Sequence, residues 1–423
     1  MWNVAMKLSK REYLKSIGIG TAATALAGCM GGGGDSGSSE LQAASWASGE
    51  EQEIVTGLIQ DFEDETGIAA IHENVPYDEY MNTLQVQFSG GEEPDVFYLA
   101  DEESPGLMEQ GALLDLEELR DDSEFALDDI WDPVLNTFVS DGSLYGVPKD
   151  YTTVGYFYNE EMFSNAGYDT FPETWADFRS ALETINEQAD VTYPAGIGAR
   201  PRESLLQLVW SHGGRVLNED ETEAVIGSDE AIQGLERLVS LREDGLLGYW
   251  NDDLSAPDPM VGLGEGDVAV GWIGAWGTAT LDADYSDMPI NVADHVPVPD
   301  GGTSATILIT TAWSASSATD REEDTLELLK YLTNDEGMWA WAQEGIALSA
   351  RESHLEKEFY QENPRMANLV NLTEDARPRV FGRHSGEIMN RIMSEAEGAL
   401  TGAQSAREAF ESAEEIINNE ILN

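Results

Sequence analysis

A chain of 423 residues with 41% hydrophobic content, 11 Trp, 14 Tyr and 12 Phe has enough length and apolar matter for more than one packed lobe, which excludes a disordered polymer. Against 22 basic residues stand 81 acidic ones, a formal net charge of −59. With no basic stripe to neutralise phosphates, nucleic acid is excluded as a partner. The acids are spread along the whole chain, so they form no interaction tail. Their mutual repulsion loosens a compact fold in dilute buffer, whereas at molar salt the Debye length of about 3 Å screens it. The composition therefore points to life in strong brine.

The chain opens with a charged stretch, Ser9-Lys10-Arg11-Glu12-Tyr13-Leu14-Lys15, followed by apolar and small residues from Ile17 to Ala27. That run is too short for a bilayer, which needs about 20 residues, and reads as an export leader. Its pattern is similar to a twin-arginine signal with Lys10 in place of the first Arg. Leu26-Ala27-Gly28-Cys29 then looks like a lipobox, and Cys29 is the only cysteine. Residues 1–28 are thus read as a signal peptide, with Cys29 as the site of lipid attachment. Residues 29–40, with Gly31-Gly32-Gly33-Gly34-Asp35-Ser36-Gly37-Ser38-Ser39, form a flexible tether reaching about 15–20 Å. No later stretch is long and apolar enough to cross a membrane.

From Leu41 the pattern alternates between strand and helix. Leu41 to Trp46 reads as a strand, and Gly49 to Thr66 as a helix with Ile54, Leu58 and Phe62 on one face and Gly67 as its stop. Ile68 to Val75 is a second strand, Tyr77 to Phe88 a second helix, and Asp95 to Ala100 a third strand. Such a succession predicts a mostly parallel sheet flanked by helices. Ligands of such sheets sit off the carboxyl ends of the strands. This makes Trp46, Ser48 and Glu50, and likewise Asp101 and Glu102, candidate binding residues. For the carboxylates a solvated surface role is the competing reading. A second alternating region runs from Lys149 to about Val298, and helices are expected over Thr325 to Leu332, Glu387 to Leu400 and Ala406 to Ile421.

Several strings occur together in order. They are Phe62-Glu63-Asp64-Glu65-Thr66-Gly67-Ile68, Gly91-Glu92-Glu93-Pro94-Asp95-Val96 and Gly111-Ala112-Leu113-Leu114-Asp115-Leu116. Tyr145-Gly146-Val147-Pro148, Phe157-Tyr158-Asn159, Phe163, Ala166-Gly167 and Pro172-Glu173-Thr174-Trp175 follow, and Gly266-Asp267-Val268-Ala269 leads into Gly274-Ala275-Trp276. The set resembles the extracellular solute-binding proteins of family 1, the maltose-binding type that serves ABC importers of sugars. The resemblance implies an α/β fold of the periplasmic-binding-protein kind (type II). It has two lobes, each a sheet flanked by helices, and a hinge that the chain crosses several times. One lobe is expected from residues 41–149 plus 310–349, the other from 150–309 plus 350–423. The implied function is capture of a sugar or oligosaccharide outside the cell and delivery to membrane permease subunits with a cytoplasmic ATPase. The protein is expected to be a lipid-anchored monomer on the outer face of the membrane, without a cofactor, and its acidity suggests a haloarchaeal source.

A sugar ring has apolar C–H faces and a girdle of hydroxyls, so its site needs flat aromatic surfaces and planar acceptors. In similar proteins the Trp of the Gly-Ala-Trp motif stacks on the sugar, which nominates Trp276; a core Trp is the alternative. Trp272 reads as core. Asp150, Tyr151 and Thr152 stand where similar proteins carry polar ligand contacts beside the hinge. Thr311 and Trp313 stand where those proteins return to the first lobe. Between Arg377 and Ile392 there is no Trp to match a second stacking ring of maltose binders.

Two rivals define what must be tested. A glycoside hydrolase needs paired carboxylates about 5–10 Å apart across a cleft, and no motif marks such a pair. There is no H-E-x-x-H, G-x-S-x-G or P-loop, so an enzyme is not expected. The second rival keeps the fold and changes the ligand to a polyamine, phosphoester or metal.

Overall fold

The computed structural model describes residues 40–123, 125–198, 201–250, 253–254 and 259–423. The leader expected over 1–28, Cys29 and all of the tether except Glu40 lie outside the described residues.

The first elements are β1 (Leu41–Ser45), α1 (Glu50–Thr66), β2 (Ala70–Asn74), α2 (Tyr77–Gly90) and β3 (Val96–Ala100). β1 pairs in parallel with β2 on one side and β3 on the other. Both helices stop at glycines in the left-handed region, Gly67 (φ 75°) and Gly91 (φ 67°). Each glycine N–H caps a carbonyl of the last turn. The fully buried face of α1 is Val55, Ile59 and Phe62, with Ile54 and Leu58 only partly buried. The stripe is thus rotated by one residue from the expected one, because a 3.6-residue period admits either set beside Phe62. β3 is buried throughout, as befits a strand with a neighbour on both sides and helices on its faces.

Further along come β4 (Gly146–Thr153), β5 (Gly155–Asn159), β6 (Tyr193–Ile197), α3 (Arg202–Ser211), β7 (Leu247–Tyr249) and α4 (Pro259–Glu265). β8 (Val268–Ile273), α5 (Trp276–Asp284), β9 (Ile290–Val292), β10 (Thr306–Ala315), α6 (Glu322–Thr333) and β11 (Leu348–Ser349) follow. The chain ends with β12 (Ala376–Pro378), α7 (Ser385–Leu400) and α8 (Ala406–Ile416), the last running on as a π-helical turn over Ile417–Ile421. A capping box between Ser405 and Glu408 starts α8.

These strands build two sheets. The seven-stranded one has the order β11-β4-β10-β3-β1-β2, with β12 alongside the start of β10. The five-stranded one has the order β9-β5-β8-β6-β7. With helices flanking both, this is the two-lobed α/β architecture expected. The limits expected between the lobes, 149/150 and 309/310, fall inside β4 and β10, which both belong to the first sheet.

Only Val154 separates β4 of the first sheet from β5 of the second. The return crossing at β10 lies beside it, with the Val154 N–H donating to Ile307 O at 3.3 Å. Gln207 of α3, fully buried, fastens this point. Its amide donates to Thr306 Oγ1 (3.1 Å) and Val154 O (3.4 Å) and accepts from Trp272 Nε1 (2.8 Å). A buried amide satisfied on every side fixes one arrangement of the crossing strands. Among the described residues no helix is long and apolar enough to cross a membrane.

Candidate functional site

In the second sheet β6 and β8 run parallel, and they end at Ile197 and Ile273. Off these ends lies a cavity of about 160 Å³. Its apolar wall includes Pro259, Met260, Trp272 and Trp276, and its polar groups come from Glu203 and Ser204 at the start of α3. Trp276, the first residue of α5, is 43% exposed, unusual for an indole in a well-packed chain. Trp272 is only 6% exposed and spends its N–H on Gln207, so it is core and cavity wall together.

The first sheet contributes an aromatic group and an ionic cluster. Trp46 stands edge-on to Tyr77, Tyr80 and Tyr98, with centroids 5.6, 5.0 and 5.0 Å away. Tyr77, at the start of α2, is 56% exposed. Beyond β3 come Asp101, Glu102 and Glu103. Arg202 of α3 donates to both Glu102 oxygens, at 2.8 and 2.7 Å. Arg379, just past β12, donates to Asp101 at 3.1 Å and approaches Glu102 at 3.3 Å and Glu203 at 3.8 Å. A helix of the second lobe is thereby tied to the loop after β3 of the first.

The charges follow from these partners. Burial pushes the Asp101 carboxyl up, only partly offset by Arg379. Burial acts the same way on Glu102, yet Arg379 and Arg202 together hold it below the usual carboxylate range. Glu203 is raised by burial despite both arginines. Glu103 is pushed up to about 7 by burial, then by Glu102 and Asp101.

Glu103 gives a pH dependence whose sign is fixed. An unfolded glutamate titrates near about 4.3. Between that pH and about 7 the folded chain holds a proton that the unfolded chain has lost, so this residue's contribution to stability falls as pH rises through the window. Glu103→Gln, which mimics the protonated form, is expected to be more stable than the parent at pH 8 by on the order of 2 kcal/mol. At pH 4 the two should coincide. Urea melts in molar KCl at both pH values check this, and equal stability at pH 8 would place the carboxylate in water.

The residues expected from sequence are dispersed by the fold. Trp276 lines the cavity, and Trp46 sits at its strand end among tyrosines. Ser48 and Glu50 are exposed, and Glu50 lines a separate groove between α1 and the helix Asp335–Ala342. Asp101 and Glu102 have their oxygens engaged by guanidinium groups. Asp150 pairs with the buried Lys149, which also meets Glu51 at 3.1 Å and lies over the rings of Tyr98 and Trp341 at 4.8 and 4.6 Å. Tyr151 is core, 1% exposed, with its hydroxyl 3.3 Å from Thr373 Oγ1. The Thr152 hydroxyl accepts from the Ala275 N–H at 2.8 Å and donates to Thr153 O at 2.9 Å. Thr311 is half-buried in β10, and Trp313 is fully buried against Tyr98, with centroids 4.4 Å apart. A ring so enclosed offers no face to a ligand.

Sequence reasoning missed Tyr77, Arg202, Glu203 and Arg379. The rule that ligands sit off strand ends nominates Tyr77, which follows β2, as readily as Trp46. Arg202 and Arg379 carry no local signal.

Two helix-flanked sheets joined beside Val154 make a two-lobed α/β fold. Residues 57–368 match the family of bacterial extracellular solute-binding proteins, and the chain belongs to it. Such a protein is an exported component of an ABC importer, partnered with a permease and its ATPase, and not an enzyme. The chain is 24% identical to the maltodextrin-binding protein of Bacillus subtilis over 386 residues, 88% of each chain. Its fold is similar to that of an ABC substrate-binding protein of Listeria monocytogenes in complex with cycloalternan. That match has a TM-score of 0.80 at 21% identity, covering 90% of this chain and 97% of the other. A solute-binding protein of Thermotoga lettingae bound with α-D-tagatose matches with a TM-score of 0.81 at 22% identity, over 91% and 100% of the two chains.

Proposed function

We propose that this protein captures a sugar or short oligosaccharide outside the cell, with Trp276 as the platform under the ring. The carrying observation is the exposed indole, which shares the lining of a cavity with Pro259, Met260 and Glu203. An apolar plane with one strong acceptor beside it suits a ring that has C–H faces and hydroxyl edges. The ligands of the relatives, maltodextrin, cycloalternan and tagatose, are all carbohydrates, which supports the reading. Lobes that divide at Val154 and at the start of β10, in place of the expected limits at 149/150 and 309/310, complete it.

The Leu-Ala-Gly-Cys string supports a lipid anchor on Cys29 that holds the protein at the outer membrane face, and the net charge of −59 supports a haloarchaeal, brine-living source. A second reading, a polyamine ligand, is favoured by one observation. The carboxylates of Asp101, Glu102, Glu103 and Glu203 outnumber the guanidinium groups of Arg202 and Arg379 among them.

Thermal melts in molar KCl with xylose, glucose, maltose, maltotriose, glycerol 3-phosphate and spermidine separate the readings, since a bound ligand raises the melting temperature. At least one neutral sugar is expected to raise it by several degrees. A response to spermidine alone would replace the sugar reading with the polyamine one.

A further inference from the structure

The pose of the Trp276 indole is set by Gly274, which has no side chain, and by Thr152, whose hydroxyl is already bonded within the protein. At Gly274 a Cβ would fall 2.1 Å from Trp276 Cζ3, 2.5 Å from Cε3 and 2.6 Å from Cη2. The six-membered ring therefore lies folded over the Gly274 backbone, in the volume that any other residue fills with its side chain. Gly274 is not in the left-handed region, so alanine fits its backbone, and the three atoms nearest its Cβ all belong to the indole. Between the two stands Ala275, fully buried, whose N–H donates to Thr152 Oγ1 at 2.8 Å. Thr152 belongs to β4, two residues before the crossing at Val154, and its hydroxyl is spent on this bond and on Thr153 O. The turn that carries the indole is thus pinned to the first-lobe strand that leads into the hinge. Gly277 closes the turn from below, where a Cβ would meet Ile273 Cγ2 at 2.5 Å.

We propose that Gly274 and Thr152 are positioning residues that pre-set the Trp276 ring for its ligand, Gly274 by vacating the space under it and Thr152 by fixing its turn to the hinge strand. An indole held in one pose loses less freedom on binding, so affinity depends on residues that need not touch the solute. The Thr152 link also makes the platform follow β4 when the lobes move. The inference rests on Trp276 being the platform, and the test separates the two claims.

The probe is the sugar of the panel above that stabilises the parent most, and its affinity is measured by calorimetry in molar KCl. Gly274→Ala is expected to weaken binding about tenfold while the melting temperature of the free protein stays within a degree or two. In the Trp276→Ala background Gly274→Ala should have no further effect, because the ring it displaces is gone. Thr152→Val, which keeps the volume and removes the acceptor, should weaken binding about threefold or more, and Thr152→Ser should restore it. Parent-like affinity in Gly274→Ala, with Trp276→Ala impaired, overturns the positioning role and leaves the platform standing. Parent-like affinity in Trp276→Ala itself overturns both. An equal loss on adding Gly274→Ala to the parent and to Trp276→Ala shows that the glycine acts on the fold and not through the ring, which also overturns the proposal.

Discussion

Replacing Arg379 with Met is expected to cost about 3–5 kcal/mol of unfolding stability at pH 8, the usual loss when one partner of a buried ion pair is removed. Arg379 is 6% exposed and Asp101 1%. Burial works against the guanidinium charge, but Asp101 and Glu102 more than offset it and hold the group's pKa above its ordinary value. Without Arg379, Glu102 keeps Arg202, whereas Asp101 keeps only backbone partners. Its escape is to take up a proton, since burial already pushes its pKa up. The variant's deficit should therefore shrink as pH falls toward about 4, where an unfolded Asp also binds a proton and the penalty disappears from the difference. Molar salt should not abolish the effect, because buried pairs are screened far less than exposed ones.

Urea melts in molar KCl measure this as a lowered midpoint with an unchanged slope. Adding Asp101→Asn should recover most of the loss, because the orphaned charge goes with it. A deficit under about 1 kcal/mol, typical of exposed pairs, would mean that water reaches the cluster and that Arg379 does not brace the two lobes.

The second large effect is on binding. Trp276→Ala should raise the sugar Kd at least tenfold, about 1.4 kcal/mol. Stability should change by no more than about 0.5 kcal/mol, as for an ordinary surface substitution. The two numbers belong together. Trp276 is 43% exposed, so the fold draws little from it, while it lines the same cavity as Pro259, Met260 and Glu203. Calorimetric titration with the stabilising sugar, set beside a melt of the free protein, checks both. An unchanged Kd would remove Trp276 from the site. A lowered melting temperature with a proportionate loss of binding would make it a packing residue.

Much of the architecture was legible because its signals are local. Gly67 stops α1, strand and helix periods alternate from Leu41 to Ala100, and the Gly-Ala-Trp string falls at the end of β8. Trp276 was nominated from this string, and the structure leaves it exposed on the cavity wall. Trp313 was misplaced for the complementary reason. Its local string, Thr-Thr-Ala-Trp, does not reveal that β10 lies between β4 and β3 with the ring turned into the core against Tyr98. Asp101 and Glu102 were rightly set at a strand end, but the arginines that occupy them lie 278 and 100 residues away. Thr152 was nominated for its position beside the hinge, and its hydroxyl proved to be bonded across to Ala275.

By itself, then, the sequence determined the alternating α/β build, the strongly acidic composition and one aromatic candidate, all of which are written in composition or in periods a few residues long. Only the tertiary structure decided which polar groups are free for a solute. A carboxylate has the same signature in sequence whether it faces water, a hydroxyl or a guanidinium group. In a chain with 81 acidic residues, long-range pairing is what distinguishes the three.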